Sequence, residues 1–137
     1  MRVLALDYGS ARCGCALSDP TGTLATPIDH IERPGTRRGL ARVADLVRER
    51  EVGRVVVGLP LGLSGDDTDQ TRETRAWADR LADRVRPVPV ELYDERFTTA
   101  IAAKSGPPTH TRTSEDSRAA AVLLEDWLAA QSGRGPG

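Results

Sequence analysis

Three widely separated carboxylates, Asp7, Glu95 and Asp116, stand where a divalent-cation site could be assembled. Asp7 closes a short unbroken apolar run, residues 3–6, of the kind that suits a strand covered on both faces. Glu95 follows Tyr93-Asp94 at the end of another strand-like run, and Asp116 opens the last helical stretch. Carboxylates at the C-terminal ends of central strands lie where open α/β sheets bind ligands. If the strands ending in Asp7 and Glu95 are parallel and two spacings apart, their backbones are roughly 10 Å apart. That is too wide for a hydrogen-bonded acid/base pair. It suits side chains reaching inward to one or two cations, which in two-metal sites are about 4 Å apart. Hard oxygen ligands select Mg²⁺ or Mn²⁺ over zinc. Each acid also has a plainer role. Asp7 fits an Asx turn ahead of Gly9, Glu95 could pair with Arg96 or Arg12, and Thr113-x-x-Asp116 fits a capping box.

The elements that must position these acids follow from periodicity. After the first strand, Gly9-Ser10 turns the chain into a second, residues 12–18. A third, residues 23–33, carries Pro27, which points to an edge or a bulge. Leu40, Val43, Ala44 and Val47 recur at helical spacing up to Arg50. Residues 55–59 form a strong buried strand ended by Pro60. A glycine-rich loop leads to Asp67, with Gln70 three residues on, a capping-box pattern. The helix it starts buries Thr74, Trp77, Ala78, Leu81 and Val85. Val88, Val90 and Leu92 alternate with Pro89 and Glu91 in a half-exposed edge strand, and a last helix spans about residues 115–130. Right-handed crossovers then predict an α/β fold, a mixed five-stranded sheet in the order 3-2-1-4-5. Its first three strands are antiparallel, and helices cover both faces.

Bulk properties narrow the classes. The 137 residues suit a single domain over 1–131 with a flexible tail at 132–137. With 39% hydrophobic and 28% charged residues the chain is not disordered. It has no signal-like or membrane-spanning apolar run, which predicts a cytoplasmic protein. A formal net charge of −1 excludes a uniformly basic nucleic-acid clamp. Positive charge is local: residues 33–54 hold seven arginines against Asp45, Glu49 and Glu51, a sum of +4. That cluster also suits a solvated, ion-paired helix face. Cys13 and Cys15 are the only cysteines, too few for zinc and too close along a strand for a disulfide. Small buried hydrophobes in a reducing compartment are expected.

In this order, five segments resemble one family. They are Leu6-Asp7-Tyr8-Gly9 with Arg12, Gly14 and Ala16; Ala25-Thr26-Pro27; Val56-Val57-Gly58-Leu59-Pro60-Leu61 with Gly65; Asp94-Glu95-Arg96-Phe97-Thr98-Thr99; and residues 116–124. The family is YqgF (RuvX), the Holliday-junction-resolvase-like nucleases with an RNase H fold. The resemblance implies a catalytic and metal-binding triad of Asp7, Glu95 and Asp116 loaded with Mg²⁺ or Mn²⁺. It also implies cleavage to a 5′-phosphate and a 3′-hydroxyl, and a substrate at the 5′ end of pre-16S rRNA or, alternatively, a branched DNA junction. Arg12 and Arg96 are candidates for phosphate contacts, since a guanidinium matches phosphate geometry. Thr98 and Thr99 could donate to the nucleic-acid backbone.

The chain departs from the family's pattern in two places. Residues 100–115 are short, include Pro107-Pro108, and carry only Lys104 and Arg112 as basic residues. Arg118 stands where the family prefers an apolar side chain. A weaker grip there leaves Arg37, Arg38 and Arg42 as substitutes. Rival readings are a dimeric DNA-junction nuclease, a non-catalytic RNA-binding assembly factor, and half of an actin-like nucleotide clasp. No exposed amphipathic stripe beyond the core faces is evident, which points to a monomer.

Overall fold

The computed structural model of the chain describes residues 1–62, 64–94 and 115–133. Five strands form one sheet: β1 (Arg2–Asp7), β2 (Arg12–Ser18), β3 (Ala25–Glu32), β4 (Val52–Leu59) and β5 (Val90–Asp94). Their order is β3-β2-β1-β4-β5, with β1-β2 and β2-β3 antiparallel and β1-β4 and β4-β5 parallel, as the crossover argument requires. The helices among the described residues are α1 (Arg37–Glu49), α2 (Asp69–Val85) and α3 (Glu115–Gly133).

Alternation along the strands divides the core in two. Leu4, Leu6, Cys13, Cys15, Leu17, Val55 and Val57 face α1 and α2, where they meet Leu40, Val43, Val47, Trp77 and Leu81. Val3, Ala5, Ala16 and Val56 face the other way, onto Ala120, Leu123, Leu124 and Trp127 of α3. Both cysteines are buried free thiols, as expected. Burial, then the hydrogen bond with Cys15, then nearby negative charge push the Cys13 thiol well above its usual pKa. It stays neutral and behaves as a small hydrophobe.

Several boundaries differ from the periodic reading, each for a local reason. The third strand starts at Ala25 because Asp19 organises the preceding turn, accepting from the backbone N–H groups of Thr23 (2.7 Å) and Leu24 (2.8 Å) and from the Thr21 hydroxyl. These bonds hold the Asp19 carboxyl well below its usual pKa. The register shifts between Cys13 and Cys15, where β3 carries the extra residue, so Pro27 lies on a bulged edge strand. β5 begins after its prolines, yet the Pro89 carbonyl still accepts from Val55 N at 2.9 Å.

Thr68, not Asp67, caps α2. Its Oγ1 accepts from Thr71 N (3.2 Å), while Thr68 N donates to Thr71 Oγ1 (3.0 Å). Thr71 Oγ1 also donates to Pro60 O at 2.5 Å, tying the cap to the end of β4. Asp67 is drawn instead to Arg75, 3.3 Å away, and Gln70 is exposed. At the far end of the chain, α3 continues to Gly133, beyond the expected stop near residue 130.

α3 reaches the sheet through an unusually close approach. A Cβ built on Gly14 would lie 2.0 Å from the Asp116 carbonyl oxygen and 2.7 Å from Ser117 N. Only a glycine in β2 admits the first turn of α3. Beside it, Ser117 Oγ, fully buried, accepts from Cys15 N at 3.1 Å and satisfies a backbone donor facing the helix. On the opposite face Trp77, 2% exposed, donates through Nε1 to Pro34 O at 2.9 Å and joins α2 to the start of α1.

These contacts set the cost of three substitutions. Ser117→Ala leaves the Cys15 N–H without its acceptor and should cost about 1–3 kcal/mol by urea unfolding. Gly14→Ala should cost at least as much, because backbone and not a flexible side chain must move. Trp77→Ala should cost roughly 3–5 kcal/mol. If Gly14→Ala unfolds at the wild-type urea midpoint, α3 does not dock as described.

Candidate active site at the C-terminal edge of the sheet

β1 delivers Asp7 to the C-terminal edge of the parallel strands, and strand parity sets its side chain on the α3 face with Val3 and Ala5. The residue is 5% exposed, a buried carboxylate at the head of the central strand. Its ladder partner is Gly14. Gly14 is also the residue on which the Asp116 backbone rests, so one glycine brings two acids 109 positions apart in the chain to a common edge. Both carboxylates act electrostatically on the same thiol, Cys13.

Arg12 opens β2 beside them. Its Nε lies 3.2 Å from Asp116 Oδ2, with the Arg12 side chain half-exposed and the Asp116 side chain less so. The sequence offered Glu95 or phosphate as partners for Arg12. In the fold, Asp116 is a partner of Arg12 because Gly14 sets α3 against the start of β2, while Glu95 lies outside the described residues. Asp116 stands in the first turn of α3, where a negative charge complements the helix dipole. The proposed cap, Thr113, lies outside the described residues.

Parallel pairing extends the same edge to the far strand. Leu6 pairs with Val57, Gly58 with Tyr93, and Leu59 with Asp94. Glu95 follows Asp94 directly in the chain but lies outside the described residues, as do Arg96, Thr98 and Thr99. Tyr93 is fixed by a 2.7 Å hydrogen bond from its hydroxyl to Asp126 Oδ2 on α3.

On the opposite face, Tyr8 follows Asp7 and packs on Trp77 with ring centroids 4.7 Å apart. Burial and the neighbouring Glu73 carboxylate, to which its hydroxyl is hydrogen-bonded, raise the Tyr8 pKa, so the phenol stays protonated. This aromatic pair stiffens the turn that carries Asp7.

The donor chemistry fits a hard divalent cation. Asp7 and Asp116 offer carboxylate oxygens, while the Cys13 thiol is neutral and turned to the other face. Among the described residues no group of three or more His, Cys, Asp or Glu is placed to hold a metal ion. Sequence reasoning found both acids but gave Gly14 and Ser117 no role of their own. A glycine inside a strand, between two buried cysteines, was the available signal for a close backbone approach.

Comparison with known proteins places the chain in a family and supports its fold. The family profile described as "RuvX: Holliday junction resolvase" matches residues 1–130. A protein of Mycobacteroides abscessus named "Putative pre-16S rRNA nuclease" is 40% identical over 133 residues, covering 93% of this chain and 80% of that protein. One of the same name from Anaeromyxobacter is 41% identical over 133 residues, covering 93% and 96%. Among solved structures, Thermus thermophilus RuvC bound to a Holliday junction superposes with a TM-score of 0.61 at 19% identity, covering 97% of this chain and 96% of that one. At that identity the likeness establishes the RNase H-like fold. No helix among the described residues is long and apolar enough to cross a membrane. By the match over nearly its whole length, the chain belongs to the RuvX family of nucleases.

Proposed function

We propose that this chain is a metal-dependent endonuclease that trims the 5′ end of the 16S rRNA precursor in the cytoplasm. The observation that carries the reading is the pairing through Gly14 of a buried strand-end carboxylate, Asp7, with Asp116 at the head of α3. The shared name of the closely similar relatives supports the substrate. The family's description keeps branched DNA as the second reading, in which a dimer would cut two strands symmetrically.

Asp7 and Asp116, with Glu95 as third ligand, hold Mg²⁺ or Mn²⁺ at the sheet edge. Such a cation, when bound, lowers the pKa of water and offsets charge on the scissile phosphate. Arg12, already beside Asp116, presents its guanidinium to a phosphate oxygen next to the acids. Arg96 is assigned a second phosphate contact, and the Thr98 and Thr99 hydroxyls donate to the backbone of the nucleic acid. Tyr8 and Trp77 hold Asp7 in place and take no part in proton transfer.

Asp7→Asn tests this reading, because it keeps shape and removes the charge. With Mn²⁺ and a 5′-extended 16S precursor, cleavage should fall about 10²-fold or more, and calorimetric Mn²⁺ binding should weaken while the melting temperature holds. Cleavage at the wild-type rate would defeat the assignment. A four-way DNA junction assayed in parallel should be the poorer substrate. Cutting of the junction with the RNA left intact would move the proposal to DNA.

A further inference from the structure

We infer that the exposed arginines where β3 passes into α1, Arg33, Arg37 and Arg38, form a track for a nucleic-acid phosphate backbone. The track starts beside the acidic pocket and continues around the β3 side of the sheet. The inference rests on the nuclease reading above and adds the surface along which substrate enters.

Position is the first observation. β1 ends and β2 begins at the edge that carries Asp7, and β3, antiparallel to β2, ends there too, with Arg12 opposite Glu32. Arg33 N donates to Ala11 O at 2.9 Å, so the start of β2 and the end of β3 are laced together. α1 then starts at Arg37, with Thr36 Oγ1 accepting from Gly39 N at 3.0 Å. Arg12, Arg33 and the first residues of α1 therefore follow one another outward from Asp116, with adjacent strands about 5 Å apart.

Rigidity is the second. A Cβ on Gly39 would lie 2.2 Å from Arg33 O, so the helix start is pressed onto the preceding turn. Trp77 Nε1 to Pro34 O (2.9 Å) and Arg80 to Gly35 O (3.2 Å) hold the same turn from α2. Arg33 keeps a left-handed backbone, φ 44°, in a place where glycine or asparagine would be less strained.

Charge is the third. Arg33, Arg37 and Arg38 are exposed, the first turn of α1 holds no acidic residue, and none of the three makes an ion pair among the described residues. Five arginines away from this edge are matched: Arg48 to Asp45, Arg54 to Glu91, Arg72 to Asp69, Arg75 to Asp67 and Arg86 to Asp83. Arg2, Arg42, Arg50, Arg80 and Arg84 make no ion pair among the described residues either, so position and rigidity, with charge, single out Arg33, Arg37 and Arg38. Glu32, the one acid within residues 30–38, is engaged by His30 at 2.7 Å. Unmatched guanidinium groups on a chain of net charge −1 suit a phosphate backbone, and they read charge without reading sequence.

The experiment compares wild type, R33Q/R37Q/R38Q, and R48Q/R84Q/R86Q, which removes equal charge at the opposite end of the sheet. Fluorescence anisotropy with a labelled RNA duplex of about 20 base pairs and its DNA counterpart is read in Ca²⁺ buffer from about 50 to 200 mM salt. The edge variant should bind at least about tenfold more weakly, with the slope of log K against log salt reduced by about 2 to 3. The far-end variant should stay within about twofold of wild type, and circular dichroism melting should show all three folded. The duplex bound more tightly by wild type identifies the natural backbone. Equal losses in both variants, or an edge variant that binds as wild type does, overturn the track while leaving the nuclease standing. A wild-type protein that binds neither duplex overturns both.

Discussion

The contact between Gly14 and the first turn of α3 is the constraint on which the rest of this molecule depends. Two backbones meet there with no side chain between them, at the point where β2 pairs with Asp7. The helix therefore cannot slide outward without carrying Asp116 away from Asp7, and β2 cannot shift register without turning its glycine to the wrong face. Small residues continue the theme. Ala5 and Ala16 lie on the same sheet face and Ala119 and Ala120 on the helix, all fully buried. Small side chains on both partners allow the close approach, and Leu123, Leu124 and Trp127 supply the apolar burial that holds it.

The two faces of the sheet divide the labour. On one, Leu4, Leu6, Val55 and Val57 pack against two helices and a large tryptophan, in a core that also holds the Tyr8 phenol and the Cys13 thiol, both with pKa raised by burial. On the other, a thinner core under one helix runs up to the carboxylates. Gathering acids at a sheet edge works against folding, since like charges repel and a buried carboxylate loses hydration. The larger cluster offsets that cost at a distance. Arg12 offsets part of it directly, on the Asp116 side, and remains half-exposed.

Strand order and direction were legible because they rest on burial pattern and crossover handedness, which a single sequence displays. The fully apolar runs became the interior strands β1 and β4, and the proline-bearing stretches went to the edges. Local competition was harder to read. Asp67 and Thr68 both suit a cap, and the choice fell to Thr68 because Thr71 could also reach Pro60 O. Long-range partnerships were not legible at all. That Gly14 makes room for residue 116, or that Arg12 lies 3.2 Å from Asp116, depends on a helix a hundred positions away. Of the seven site residues singled out, Asp7, Asp116 and Arg12 are placed together by the fold, while Glu95, Arg96, Thr98 and Thr99 lie outside the described residues.

A net charge near zero hides how unevenly this surface is charged. α2 carries its acids and bases as short-range pairs three residues apart, which cancel locally and project little field. The edge at Asp7 is arranged differently, with negative charge drawn inward at Asp7 and positive charge left outward at the start of α1. On the proposed reading, a polyanion meeting that edge would be attracted by the exposed arginines before it felt the recessed Asp7 carboxylate, whose field a bound divalent cation would offset. Recessed acids bordered by exposed bases solve a problem that any nuclease faces, which is to hold cations with negative groups without repelling the substrate. In this chain the burial of Asp7 and the rigidity of the β3–α1 turn would supply that separation of charge.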